Sequence, residues 1–188
     1  GQNDVGQVGD DTATVRDRAV MVAGGMRFTT ISAGHAHSCA VAADGSAYCW
    51  GDDSRGQLGD GSTATSRSSV PVRVQLSEPV SRIDAGYYQS CAVTRTGNAY
   101  CWGLNDFGQN GDGTTDDTHV PVGVSGLVNV TEIAAGDRFV CALRSGETWC
   151  WADTHTGIMG AAGGAASSVP VRFHASALTS LTASIGAS

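Results

Sequence analysis

The six cysteines are the residues of this chain whose type and spacing most directly suggest a chemistry, that of disulfide formation. They form three pairs, each flanking a short glycine-containing segment: Cys39 and Cys49, Cys91 and Cys101, and Cys141 and Cys150. The intervening residues predict tight β-hairpin turns, which would set the two cysteines of a pair opposite each other. Opposed residues in a non-hydrogen-bonded antiparallel pair lie about 4.5 Å apart between Cα atoms, within reach of a disulfide. We therefore predict one cross-strand disulfide per hairpin.

The turn lengths support this pairing. The first two hairpins fit three-residue loops that end on a glycine with positive φ, Gly45 and Gly97. The third is one residue shorter and fits a two-residue loop at Ser145 and Gly146. The cysteines stay opposed although the loop length changes, which free thiols would not require. Buried free thiols remain an alternative, and the absence of any Cys-x-x-Cys pair disfavours zinc.

A second set of candidate residues lies between a recurring Ala-Gly and the first cysteine of each hairpin. The frame repeats while its contents change, and the contents include the residue types enriched at interfaces. We predict that these turns form a recognition face, and the alternative is that they vary because nothing constrains them. The candidate residues are His35, His37, Tyr87, Tyr88, Gln89, Asp137, Arg138 and Phe139.

Metal binding and catalysis have weaker signals. His35 and His37 have the spacing of two strand residues that point the same way, as in a two-ligand metal site, but the other repeats lack both. Acidic loop residues suggest calcium but lack the alternating ligand spacing with a distal Glu. We expect no cofactor and no catalytic residue, with calcium in an acidic loop as the one exception. The acidic residues are Asp52, Asp53, Asp60, Asp106, Asp112, Asp116 and Asp117.

The composition excludes several kinds of partner. The formal net charge is −7, and all 11 basic residues are arginine, with no basic cluster, so we expect no nucleic-acid partner. No apolar run approaches the roughly 20 residues that span a bilayer, so we expect no membrane insertion. Cysteines in even, regularly placed pairs indicate an oxidising compartment, and hence an extracellular or cell-surface protein.

The whole chain repeats with a period of about 50 residues. The repeats are approximately 1–50, 51–102, 103–151 and a partial 152–188, within one segment of 1–188. Each repeat predicts about four short strands, so we expect an all-β fold of β-propeller blades in an incomplete propeller with three full repeats and partial ends. Trp50, Trp102 and Trp151 recur beside the second cysteine and are expected to pack between blades.

The strands expected besides the hairpins fall into two sets. One set carries a Val-Pro-Val core typical of a sheet edge, with a weaker first copy. The other set ends in small residues. The first set is Ala19–Val22, Val70–Val74, Val120–Val124 and Val169–Phe173, and the second is Phe28–Gly34, Val80–Gly86, Val130–Gly136 and Leu178–Ser184.

The run Ala-Gly-x-x-His-Ser-Cys-Ala-Val, followed by Tyr-Cys-Trp-Gly and Gly-Gln-Leu-Gly-Asp-Gly, resembles the repeat of the regulator of chromosome condensation family. The resemblance covers nearly the whole chain, is best between Gly34 and Gly61, and is nearest in kind to a disulfide-bearing variety of exported bacterial proteins. It implies a seven-bladed propeller. It also implies a binding surface, since family members include a nuclear exchange factor, chromatin binders and an inhibitor of β-lactamase.

These observations predict a secreted, non-catalytic binding or structural module. Its loops would contact a protein or glycan partner, or its blades would contact further blades of the same or another chain. Because fewer than four repeats do not close a propeller alone, we expect the segment to be part of a longer, seven-bladed chain, and the alternative is an arc completed by other copies or other proteins. The alternative function is an accessory or catalytic part of an extracellular enzyme with a site at the channel mouth.

Overall fold

A computed structural model describes residues 1–64, 66–153 and 166–173, which form three antiparallel sheets of four strands each. This confirms the predicted all-β class and the partial propeller. The strands follow chain order within each sheet, and we name the sheets blade 1, blade 2 and blade 3. They are β1 (Phe28–Ala33), β2 (His37–Ala42), β3 (Ala47–Asp52) and β4 (Arg67–Arg73); β5 (Val80–Ala85), β6 (Gln89–Thr94), β7 (Ala99–Gly103) and β8 (Thr118–Gly123); and β9 (Val130–Ala135), β10 (Phe139–Arg144), β11 (Glu147–Ala152) and β12 (Ser167–Arg172).

Each central hairpin carries a disulfide across its strands. Cys39 pairs with Cys49 in register, Cys91 with Cys101 and Cys141 with Cys150, and each pair of Cα atoms is 4.1 Å apart. The first two turns place Gly45 and Gly97 at φ +94° and +84°. In the third, Ser145 and Gly146 both take positive φ, as a two-residue turn of this twist requires.

The hydrophobic core lies between the blades. The disulfide side of blade 1, with Cys39, Val41 and Ala47, packs against Ile83, Ala85 and Trp102 of blade 2. The same arrangement recurs between the disulfide side of blade 2 and blade 3, where Ile133 and Trp151 occupy the equivalent positions. Blade 2 therefore buries one face against blade 1 and the other against blade 3.

The recurring tryptophans join neighbouring blades, as the sequence predicts. Trp102 of blade 2 donates its indole N–H to the carbonyl of Gln57, in the loop after β3 of blade 1, at 2.9 Å. Gly59 of that loop packs against the indole, where a Cβ would come within 2.6 Å of Nε1. The positive φ of Gly59, +67°, is a second reason for glycine at this position. Trp50 and Trp151 make the same contacts with Gln7 and Gln109.

Residues 1–25 repeat the role of the β3–β4 loop, because Gln7 accepts hydrogen bonds from Trp50 and Ser38 of blade 1. The expected strand at Ala19–Val22 is wrong. No described strand lies beside it to complete a ladder, and the segment leads into a short 3-10 turn at Ala23–Gly25, where Ala23 donates to the Gly9 carbonyl. The expected strand at Leu178–Ser184 lies outside the described residues.

The Val-Pro-Val strands begin earlier than expected, by three residues in β4 and by two in β8 and β12. A register shift between Cys49 and Gly51 brings Ser68 and Arg67 against the end of β3, so β4 includes polar residues that the apolar pattern omits. The sheets run over 28–73, 80–123 and 130–172, so each sheet combines parts of two successive sequence repeats.

Blade 1 exposes the face that is buried in blades 2 and 3. Ile31 is 64% exposed, whereas Ile83 and Ile133, at the same position of blades 2 and 3, are each 8% exposed. Ala33 is likewise exposed while Ala85 is 3% exposed. This difference is expected of an incomplete propeller. None of the described residues belongs to a helix of the length and apolarity that crossing a bilayer requires.

One buried side chain holds each long loop closed. The side-chain oxygens of Asn3, Asp53 and Asn105 accept the backbone N–H of the residue five positions on, at 2.8–3.0 Å. The amide groups of Asn3 and Asn105 also donate to loop carbonyls, at 3.1 and 3.0 Å. Asp53 has no amide, and its buried Oδ2 has no hydrogen-bond partner among the described residues. Burial raises the pKa of Asp53 to about 6.

We expect Asp53→Asn to stabilise the protein by about 1 kcal/mol at pH 7, because the new amide can donate as in Asn3 and Asn105. The folded pKa of Asp53 lies above its unfolded value of 3.8, so its contribution to stability is lost as pH rises through about 6. The gain in the free energy of unfolding should thus be larger at pH 7 than at pH 5, measured by urea denaturation. Asn105→Asp is the matched control and should destabilise. A destabilising Asp53→Asn would contradict this account of the loop.

Candidate binding face

The turns after β1, β5 and β9 lie at the same end of the blades as the start of the loops after β3 and β7. This follows from the antiparallel order of the strands within each sheet. We call this end the turn face. The hairpin turns that contain Asp44, Thr96 and Ser145 lie at the opposite end.

The structure separates the eight predicted recognition residues by exposure. His35, Asp137 and Arg138 are exposed, and Tyr87, Tyr88 and Phe139 are partly exposed. His37 and Gln89 are 1% and 0% exposed, so their prediction as surface recognition residues is wrong. Both begin the second strand of a blade, where the side chain points between blades rather than to solvent.

The buried pair fixes the turns in place. Because the Ser90 hydroxyl donates to the Gln57 carbonyl at 2.8 Å, His37 Nε2 is the donor to Ser90 Oγ, at 2.9 Å. Gln89 Nε2 donates to the Gly136 carbonyl of blade 3 at 2.8 Å. The turns of blades 1 and 2 are thus each bonded to the following blade by a buried side chain. The sequence pattern predicts both of these side chains at the surface.

His35 and His37 do not form a two-ligand metal site, because one side chain is exposed and the other is buried against Ser90. Within 1–64, 66–153 and 166–173, no group of three potential metal-ligating side chains comes together.

Backbone hydrogen bonds align the turns of successive blades. His35 N–H donates to the Gly86 carbonyl at 3.2 Å, and Tyr87 N–H donates to the Gly136 carbonyl at 3.3 Å. Gly86 itself donates to the carbonyl of Gln89 at 2.8 Å, closing its own turn. The exposed side chains therefore project from a backbone that is held on both sides.

Three aromatic rings meet on the turn face of blades 1 and 2. The His35 and Tyr87 rings stack with centroids 4.1 Å apart, and Tyr88 stands nearly perpendicular to Tyr87 at 4.6 Å. The centroids of His35 and Tyr88 are only 5.7 Å apart. If Tyr88 covered the other face of Tyr87, this distance would approach the sum of the other two centroid distances. Tyr88 therefore lies beside the stack, and the outer faces of His35 and Tyr87 are covered by neither of the other two rings. We call these three residues the aromatic cluster.

Charged residues from the loop after β3 border the aromatic cluster. Tyr88 interacts electrostatically with Asp52 and Arg55, and partial burial raises the pKa of its hydroxyl. Arg55 forms an ion pair with Asp117 at 3.0 Å. Asp52 accepts hydrogen bonds from Ser54 and Gln57 within the same loop.

Arg55 is not among the residues predicted from the sequence for this face, and Asp52 is predicted only as part of an acidic loop. Both belong to the blade before Tyr88. The signal that could have found them is the topology, which places each β3–β4 loop beside the turn of the next blade.

At the junction of blades 2 and 3, the turn supplies the cationic side chain and the preceding loop supplies the aromatic one. Arg138, in the turn of blade 3, lies over the ring of Phe107, in the loop of blade 2, at 5.1 Å from its centroid. Phe107 occupies the position of Arg55 in its loop, and Arg138 occupies the position of Tyr88 in its turn. At the junction of blades 1 and 2, Arg55 interacts electrostatically with Tyr88, so the blade that supplies the cationic side chain differs between the two junctions.

Comparison with known proteins supports the architecture. The family model described as the regulator of chromosome condensation (RCC1) repeat matches residues 44–93 and 96–143, and a second RCC1 repeat model matches residues 28–57 and 80–109. The two longer matches run from one hairpin turn to the second strand of the next blade, so each crosses an interface between blades.

Curated relatives are much longer than this chain. Human E3 ubiquitin-protein ligase HERC2 is 32% identical over 141 residues, which is 70% of this chain and 3% of HERC2. The ultraviolet-B receptor UVR8 of Arabidopsis thaliana is 32% identical over 158 residues, which is 80% of this chain and 36% of UVR8.

Solved structures show the same fold. Yeast RCC1 (Prp20), solved bound to Kap60, superposes with a TM-score of 0.74 at 21% identity, over 93% of this chain and 43% of that one. Prp20p of Saccharomyces cerevisiae, described with its binding to Gsp1p and histones, gives a TM-score of 0.70 at 22% identity, over 80% and 39%. Human WBSCR16 gives 0.69 at 25% identity, over 79% and 39%.

We expect His37→Gln to make the protein less sensitive to acid. Burial lowers the pKa of His37 to about 4, below its unfolded value of 6.5. Its contribution to stability is therefore complete above pH 6.5 and is lost as pH falls towards 4. From pH 7 to pH 5 this loss is on the order of 2 kcal/mol. Glutamine fits here, because Gln89 fills the same position of blade 2 and donates to the next blade.

The measurement is the free energy of unfolding of both proteins in urea at pH 7 and pH 5. Asp53 titrates in the same range with the opposite sign, but it is common to both proteins and cancels in their difference. The matched variant Gln89→His should acquire new acid sensitivity. An identical pH dependence for wild type and His37→Gln would show that His37 is not held neutral by burial.

Proposed function

This chain belongs to the regulator of chromosome condensation (RCC1) repeat family, and we propose that it is a secreted, non-catalytic module that binds a partner protein through its turn face. The observation that carries the proposal is the aromatic cluster of His35, Tyr87 and Tyr88. It exposes aromatic side chains on turns that interblade hydrogen bonds hold in place. Rigid, partly exposed tyrosines supply contact area at little cost in conformational entropy, which is typical of binding surfaces.

Related structures support the proposal of a protein partner. Yeast RCC1 was solved with Kap60 bound, and Prp20p is described as binding Gsp1p and histones. The chain spans less than half of these proteins and a few per cent of HERC2, so none of these partners is assigned to it. What carries over is the kind of activity, the binding of proteins.

The proposal of a non-catalytic module is supported by where the perturbed titratable groups lie. Active sites commonly hold such groups in a cleft. Here the buried ones have structural roles, since His37 bonds to Ser90 and Asp53 closes its loop. Burial also raises the pKa of Asp84, which accepts hydrogen bonds from Ser32 Oγ of blade 1 and Ala135 N–H of blade 3, both at 2.7 Å. We propose that the module needs no metal or other cofactor.

The proposal of secretion is supported by the disulfides. All six cysteines are paired, and each bridge is buried in a blade. Disulfides of this kind persist in oxidising compartments. The chain-entropy estimate for loops of this length is roughly 2–3 kcal/mol each, so all three together would favour the folded state substantially.

The experiment is affinity capture from the extracellular material of the source, followed by a binding titration with the captured protein. We expect the combined variant Tyr87→Ala, Tyr88→Ala and Arg138→Ala to weaken binding at least about tenfold, because it removes the exposed aromatic and cationic side chains of the turn face. The matched control is Asp44→Asn with Arg95→Ala, which changes exposed residues at the opposite end of the blades.

Unfolding in urea must show that both variants remain folded. Binding that survives the turn-face variant, or that is lost only in the control, would contradict the proposal. Enzymatic turnover of a captured molecule would instead favour the alternative, an extracellular enzyme or its accessory domain.

A further inference from the structure

The aromatic cluster has two features that together indicate the chemistry of its ligand. The first is the stacked His35–Tyr87 pair, which has one outer face on each ring, and Tyr88 covers neither of these faces. A flat group can extend this stack. Tyr87 and Tyr88 are partly exposed and His35 is exposed, so the stack is accessible from the turn face.

The second feature is a carboxylate beside the cluster. Asp52, at the end of β3, interacts electrostatically with Tyr88, as does Arg55 of the loop that follows. Arg55 is already paired with Asp117. The guanidinium of Arg67, which is opposite Asp52 in the ladder, donates instead to the carbonyl of Asp4 at 3.1 Å. The loop therefore offers negative charge beside an aromatic face.

Two contacts within this chain show that an arginine side chain can occupy such an aromatic surface. Arg138 lies over Phe107 at the equivalent junction of blades 2 and 3, and Arg144 lies over Trp149 at 5.8 Å. A guanidinium is planar and remains charged at all physiological pH values, so it can stack on an aromatic ring while it pairs with a carboxylate. Arg55 stands beside Tyr88, but no guanidinium of the described residues lies over Tyr87 or His35 in a cation–π contact.

We propose that the aromatic cluster binds an arginine side chain of the partner protein. Its guanidinium stacks on an outer face of the His35–Tyr87 pair and pairs with the carboxylate of Asp52. This inference rests on the proposed function, because it specifies the residue by which the partner is recognised. A partner segment with a protruding arginine would place its charge at the cluster and its backbone across the turns of blades 1 and 2.

The test uses small probes and nuclear magnetic resonance. The probe is N-acetyl-arginine N-methylamide, compared with the citrulline compound, which has the same shape without the charge, and the lysine compound, which has the charge without the plane. We expect the arginine probe to shift the ring signals of Tyr87 and His35 and to bind about tenfold more tightly than the citrulline probe. The lysine probe should bind several-fold more weakly than arginine.

Two variants and a control locate the site. Tyr87→Ala should abolish the response to arginine, and Asp52→Asn should weaken it about fivefold. Asp52→Asn keeps the oxygen that accepts from Ser54, so the loop can remain closed. Asp44→Asn removes a carboxylate from the opposite end of the blades and should change nothing. Backbone spectra of each variant report whether it is folded.

Equal binding of arginine and citrulline, equal binding of arginine and lysine, or shifts confined to other residues would each overturn the proposal. Tighter binding of methyl glucoside than of arginine would instead assign the cluster to a glycan. The arginine inference and the proposed function can be contradicted separately. If the turn-face variant loses its captured partner but the arginine probe does not bind, the inference is wrong and the proposed function stands. If partner capture is insensitive to that variant, the proposed function is wrong.

Discussion

The contact between a tryptophan and a glycine-rich loop of the preceding blade is the interaction on which the rest of this structure depends. Trp102 lies on Gly59 and donates to the Gln57 carbonyl, and the same carbonyl accepts from Ser90. Ser90 in turn accepts from His37. One loop conformation thus sets the distance between two blades, seats the second strand of the later blade and closes the turn of the earlier one.

This arrangement separates structural residues from variable ones within a single short turn. In blade 2, Gly86 and Gln89 are buried and bond to their own turn and to blade 3, whereas Tyr87 and Tyr88 between them reach the surface. The identity of the exposed residues can change without loss of the turn. The cationic and the aromatic side chain exchange blades between the Tyr88–Arg55 and Arg138–Phe107 junctions, so both exposed positions differ from one junction to the next.

Much of the fold could be predicted from the sequence because its determinants are local. Gly45 and Gly97 mark the hairpin turns, and the cysteines mark the register across them. The errors in the binding face concern contacts between residues some fifty positions apart. His37 appears on a variable turn in the sequence, but its burial depends on Ser90 of the next blade. Arg55 could not be grouped with Tyr88 until the order of the blades placed one loop beside the next turn.

The central claim is that a partner binds the exposed part of the turn face while the frame between the blades is already formed. Hydrogen exchange of the protein with and without its captured partner tests this most directly. The account predicts slower exchange at residues 52–57 and 86–90 on binding, with no change at residues 43–46 of the opposite end. Protection confined to the opposite end, or protection that spreads to the buried strands of all three blades, would contradict it.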